Sequence, residues 1–117
     1  MAVRVRRLLN RQEFLKIKGL GRRVSTQAFV LQWIDAPEEA GIGVGFTASG
    51  ALGNAVKRNR ARRRLKAAFD EVCRVNPAAT GQGRQLVLVA KMPMFAIDYT
   101  YLLKDMRKAL EEAGITC

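Results

Sequence analysis

Lys57, Arg58, Arg60, Arg62, Arg63, Arg64 and Lys66 place seven cations within residues 57–66, with no acid among them. The chemistry such a run can do is phosphate binding. Arginine presents a planar fork that matches phosphate oxygens bidentately and stacks on bases, whereas lysine acts as a point charge; five of the seven are arginine. A helix gains nothing from the pattern. In helical geometry Arg58 faces Arg62, Arg60 faces Arg64 and Arg62 faces Lys66 at the i,i+4 spacing, where like charges repel by about 0.2–0.5 kcal/mol per pair. If the helix starts near Asn54, the cations also crowd the positive end of its macrodipole, each costing roughly 0.3–1 kcal/mol before screening. The run is locally destabilising, which points to a polyanionic partner that offsets it.

Other chemistries lack their residues. The chain has no histidine, the commonest general base and metal ligand. Cys73 and Cys117 have no C-x-x-C spacing and read as a small buried residue and a terminal thiol rather than a disulfide or metal site. No G-x-x-x-x-G-K phosphate loop is present. Asp70, Glu71, Asp98, Asp105, Glu111 and Glu112 fall on predicted helices among Lys and Arg, as solvated faces do. No catalytic residue and no metal ligand is therefore assigned to this chain.

The elements that carry the basic run follow from composition and periodicity. A chain of 117 residues with 49% hydrophobic content is read as one folded domain spanning 1–117. The net charge is +11 and the pI about 10.7, and the excess is one-sided. Residues 1–66 hold fifteen Lys/Arg against four Asp/Glu, and residues 67–117 hold six of each. No apolar run approaches the roughly 18–20 residues that span a bilayer. The start MAVRVRRLLNRQ is unlike a signal peptide, so a cytoplasmic protein with no membrane partner is expected.

Asn10 and Glu13 have capping-box spacing, with Leu9 and Phe14 placed as a hydrophobic staple, so a first helix is expected over 11–18, stopped by Gly19 and Gly21. Residues 24–34 read as a strand with Ala28, Val30 and Gln32 on one face and Phe29, Leu31 and Trp33 on the other. After a turn at 35–41, Ile42, Val44 and Phe46 alternate with Gly41, Gly43 and Gly45, giving a strand with one apolar face and one bare one. A bare face fits either close packing of a helix or strand, or a groove for a ligand chain.

The basic run then opens a helix over 54–73 whose stripe Ala61, Leu65, Ala68, Phe69 and Val72 faces the core. Arg58 and Arg62 continue that stripe toward the start, so the first turns should project past the core. QLVLVA suits a central strand, Met92-Pro93 a turn, and Asp98 caps a last helix with stripe Leu102, Leu103, Met106 and Leu110, stopped at Gly114. The expected order is helix, two strands with a short third, helix, strand, helix. That is an α/β two-layer sandwich of the α+β kind, with helices packed on one small mixed sheet.

The stretch GNAVKRNRARRRLKAAF, residues 53–69, resembles the signature of the bacterial ribonuclease P protein component: Gly-Asn-Ala-Val, then Arg-Asn-Arg, then further spaced cations. The resemblance runs back through VGFTAS and EFLKIKGLGRRVSTQAFVLQW and forward through LVLVA and the closing helix. It implies a sandwich with a left-handed strand-helix-strand crossover, against the usual right-handed rule. It also implies partnership with a catalytic RNA and with precursor tRNA, whose 5′ leader the complex removes. Hydrolysis would be carried by the RNA and its Mg²⁺ ions, the protein being monomeric with one copy per catalytic RNA.

Two RNA surfaces follow from the resemblance. Arg58, Asn59, Arg60, Arg62, Arg63 and Arg64 match the motif positions that face the catalytic RNA, and Lys57 and Lys66 flank them. A cleft between the first helix and the sheet would take the leader, with Phe14 at the aromatic position and Gln32 and Phe46 as weaker candidates for its floor. An aromatic stacks on an unpaired base of any sequence; as partner of Leu9, Phe14 could equally be core. Three departures stand out. Gly50 and Ala51 replace a usual lysine pair, Ala67 replaces an acid, and Gln32 stands where an aromatic is frequent. Read without the resemblance, the basic helix fits another RNA-binding protein such as a ribosomal component equally well. A DNA reader fits less well, lacking dimerising heptads and a helix-turn-helix partner.

Overall fold

The computed structural model describes residues 5–7, 11–36, 42–48, 53–75, 83–91, 94 and 96–114. Eight elements follow one another: β1 (Val5–Arg7), α1 (Arg11–Leu20), β2 (Arg22–Ser25), β3 (Phe29–Asp35), β4 (Ile42–Ala48), α2 (Ala55–Val75), β5 (Arg84–Ala90) and α3 (Tyr99–Glu112). The expected mixed α/β sandwich is present. Five strands form one sheet in the order β1-β4-β5-β3-β2. β1 and β4, and β4 and β5, are parallel, whereas β3 pairs antiparallel with both β5 and β2. Adjacent parallel strands need a crossover, and β4 reaches β5 through α2.

Strand alternation divides the core between the two faces. Phe29, Leu31 and Trp33 of β3, Ile42 and Val44 of β4, and Leu86 and Leu88 of β5 are buried in one cluster. Onto it pack Ala61, Leu65, Ala68, Phe69 and Val72 of α2 and Leu102, Met106, Ala109 and Leu110 of α3. The stripes read from 3.6-residue periodicity are thus the faces that α2 and α3 bury. On the other face α1 makes a smaller cluster in which buried Ile17 and Val87 meet half-buried Phe14, Ile34 and Val89. α1 covers only part of that face, and what it leaves open becomes the cleft.

Three expectations change. The strand expected over 24–34 is a hairpin: Thr26 accepts from Phe29 N–H through Oγ1 at 3.1 Å and donates its own N–H to Phe29 O at 2.8 Å. This local loop breaks the β pattern between β2 and β3. A short additional strand, β1, pairs with β4 through Val5↔Ile42 to Arg7↔Val44. The first helix passes Gly19 and ends at Leu20. The capping box at Asn10, the staple residue Leu9, the Met92-Pro93 turn, Gly50-Ala51 and Cys117 lie outside the described residues.

Candidate nucleic-acid interface

The start of α2 is set by two local devices. Gly53 has φ +96°, a left-handed conformation that L side chains rarely adopt. Asn54 then caps the helix, its Oδ1 accepting from Lys57 N–H at 3.0 Å. The first turns project as expected: residues 53–57, 59 and 60 are exposed, and burial begins at Ala61.

The structure divides the seven cations. Arg58 turns back on the helix start, donating from Nη1 to Gly53 O at 2.6 Å. Arg62 donates to Asn59 Oδ1 one turn earlier. Lys66 pairs with Asp70 at 2.7 Å, so it is partly neutralised by an acid just outside the run. Arg64 is turned inward: its guanidinium donates to the carbonyls of Met94 and Ile97 and lies 6.0 Å from the centroid of the Tyr99 ring. It ties α2 to the segment leading into α3. The side chains of Lys57, Arg60 and Arg63 remain exposed without a hydrogen bond or ion pair among the described residues. Their i,i+3 spacing makes them one slanted row on the helix surface.

The second surface lies on the α1 face of the sheet. A cavity of about 350 Å³ is lined by Phe14, Leu15 and Lys18 of α1, Arg23 of β2, Val30 and Gln32 of β3, Thr47 of β4, and Val87 and Val89 of β5. Strand register arranges its floor in rows. Arg23, Gln32, Val87 and Gly45 form one row across four strands, and Ser25, Val30, Val89 and Thr47 form the next.

Phe14 and Gln32 therefore line one cavity. Phe46 does not join them. It shares the face of Ile42 and Val44, and its ring packs edge-to-face on Phe69, with centroids 5.7 Å apart and planes at 71°. Its neighbour Thr47 takes the floor position, because consecutive strand residues point to opposite faces. The bare strand face has a definite partner: a Cβ on Gly45 would stand 2.5 Å from Phe14 Cζ. Lys18, Arg23, Thr47, Val87 and Val89 were not singled out by sequence. Lys18 carried a signal, lying four residues after Phe14 on the same helix face. Val87 and Val89 were hidden within a continuous apolar run.

An α/β sandwich with an exposed cationic row on one projecting helix and a cation-rimmed cleft on its sheet defines a basic, polyanion-binding protein. The sequence profile of the Ribonuclease P family matches residues 3–114, and the chain belongs to that family. It is 38% identical over 115 residues to the ribonuclease P protein component of Gluconacetobacter diazotrophicus, covering 98% of this chain and 97% of that one. It is 36% identical to the component of Paramagnetospirillum magneticum, covering 97% and 86%. Among solved structures, the Staphylococcus aureus RNase P protein superposes with a TM-score of 0.76 at 22% identity over 95% of this chain and 97% of that one. The Thermotoga maritima RNase P protein gives 0.69 at 21% identity over 91% and 96%. The chain is thus a subunit of a tRNA-processing ribonucleoprotein endoribonuclease, with the ribonuclease P RNA and a tRNA substrate as partners.

Proposed function

We propose that α2 docks this protein on the ribonuclease P RNA while the α1–sheet cleft holds the single-stranded 5′ leader of precursor tRNA. The observation that carries the reading is the division of the basic run, which leaves the side chains of Lys57, Arg60 and Arg63 exposed and, among the described residues, unpartnered on the projecting turns of α2. Such a row supplies phosphate contacts that position an RNA without reading its sequence. Arg58, Asn59 and Arg62 lie on the same turns and add donors; Arg64 and Lys66 act within the protein.

In the cleft, Phe14 offers a stacking surface beside an apolar floor, which suits leaders of varied sequence. Gln32 offers an amide to a base edge where an aromatic would stack. Among the described residues no group of three or more His, Cys, Asp or Glu could hold a metal ion. In this reading Mg²⁺ is held by RNA and substrate phosphates, and no step is assigned to a protein-bound ion. The protein acts as a monomer, one copy per catalytic RNA, in the cytoplasm.

Reconstitution with ribonuclease P RNA tests the proposal. Addition of the protein should raise cleavage of precursor tRNA most strongly at low Mg²⁺, and binding of precursor should exceed binding of mature tRNA. Equal cleavage with and without protein at low Mg²⁺ would refute it.

A further inference from the structure

We infer that the cleft is polarised, and that Lys18 and Arg23 form a cationic exit at the β2 edge which grips leader phosphates far from the cleavage site. The inference rests on the leader-cleft reading above and concerns how this chain divides the work within that cleft.

The register supplies the geometry. Gly45, Val87, Gln32 and Arg23 lie in one row across β4, β5, β3 and β2. Three interstrand steps of about 4.8 Å separate the ends of that row by roughly 14 Å. Phe14 sits over Gly45 at the β4 end. Lys18, one helical turn further along α1, and Arg23 line the cavity toward the β2 end. The basic helix belongs to the β4 end: α2 packs on β4 more than on any other strand, and Asn54 follows Ala48 by only six positions, within about 20 Å of extended chain. A strand held by α2 thus enters beside Phe14 and leaves past Lys18 and Arg23.

Composition indicates how each end binds. Among the described residues that line the cavity Phe14 is the one aromatic, and between it and the exit stand Val87, Val89, Val30 and Gln32. Among these residues stacking is available at one end only. At the other, Lys18 and Arg23 are both exposed, and neither side chain has an ion pair or hydrogen bond among the described residues. Two unpaired cations at the rim of an apolar floor complement a backbone whose bases lie inward and whose phosphates lie outward. Retention of the distal leader is then led by phosphate, and so is indifferent to base and sensitive to salt.

The test uses the reconstituted holoenzyme with the double variant Lys18→Gln/Arg23→Gln and precursor tRNAs carrying a ladder of leader lengths, alongside mature tRNA. Wild-type affinity should climb with leader length and then level off. The double variant should match wild type for the shortest leaders and for mature tRNA, and level off earlier, several-fold weaker. For long leaders its slope of log K against log salt should be shallower by about 1.4, at about 0.7 per single-strand phosphate lost. A methylphosphonate at the distal leader position should weaken wild type and leave the double variant unchanged. Loss of equal size at every leader length, or no loss at any, overturns the inference. Phe14→Ala separates the two levels. If it lowers precursor relative to mature tRNA while the double variant does not, the cleft holds the leader and the exit is idle. If neither variant discriminates, the leader reading fails as well.

Discussion

The ring of Phe14 lies directly on the backbone of Gly45, so close that a Cβ there would be 2.5 Å from Phe14 Cζ. The glycine is what lets an aromatic from α1 sit down on the sheet, with one part of the ring packed and the rest lining the cleft. Gly45→Val should therefore lift Phe14, cost about 1–3 kcal/mol as overpacking does, and reduce discrimination between precursor and mature tRNA. Chemical denaturation and paired binding measurements check both effects. Undiminished discrimination would show that the seated ring is irrelevant to leader binding.

Phe14→Ala removes the ring without crowding the sheet. It should weaken precursor binding and leave mature tRNA binding near wild type, since only the precursor carries a leader. Equal loss on both substrates would move Phe14 to a purely structural role.

The basic run should split into two phenotypes. Arg60→Ala with Arg63→Ala removes exposed cations that have no side-chain partner among the described residues, so affinity for the ribonuclease P RNA falls while the thermal midpoint stays put. Arg64→Ala removes bonds to Met94 O and Ile97 O, so stability falls by about 1–3 kcal/mol. Calorimetry beside RNA titration distinguishes them; a stable Arg64→Ala with strongly impaired RNA binding would reverse the assignment.

Asn54→Ala removes the side-chain acceptor for Lys57 N–H. A loss of about 1 kcal/mol is expected. Fraying of the first turn should also spread the Lys57, Arg60 and Arg63 row, lowering RNA affinity more than the stability change alone would. Hydrogen exchange at residues 55–58 reads the fraying directly.

If six to ten phosphates are neutralised across the protein, RNA affinity should fall by about 10³–10⁵ between low and moderate salt. A flat dependence measured by filter binding would remove phosphate contact as the main source of affinity.

The stripes of α2 and α3 were legible because a 3.6-residue pattern names its own buried face, and Asn54 and Asp98 announced helix starts; Asp98 Oδ1 accepts from Thr100 N–H at 3.0 Å. The hairpin was not legible, since Thr26, Gln27 and Ala28 interrupt the alternation without a Gly or Pro. Within the site, charge type was readable but charge partnership was not. Arg64 differs from Arg63 only in which way the helix turns it, and its carbonyl partners lie thirty or more residues away. Phe46 shows the converse: alternation with Ile42 and Val44 already placed it on the apolar face, away from Gly45 and the cleft.

α3 carries Lys104, Arg107 and Lys108 against Asp105, Glu111 and Glu112, an even balance, while the opening turns of α2 are positive throughout. The molecule is thus electrically lopsided as well as basic. In the field of an RNA a lopsided body feels a torque before it feels a contact. α2 would be turned toward the phosphates during approach and α3 away from them, so fewer encounters would begin in the wrong orientation.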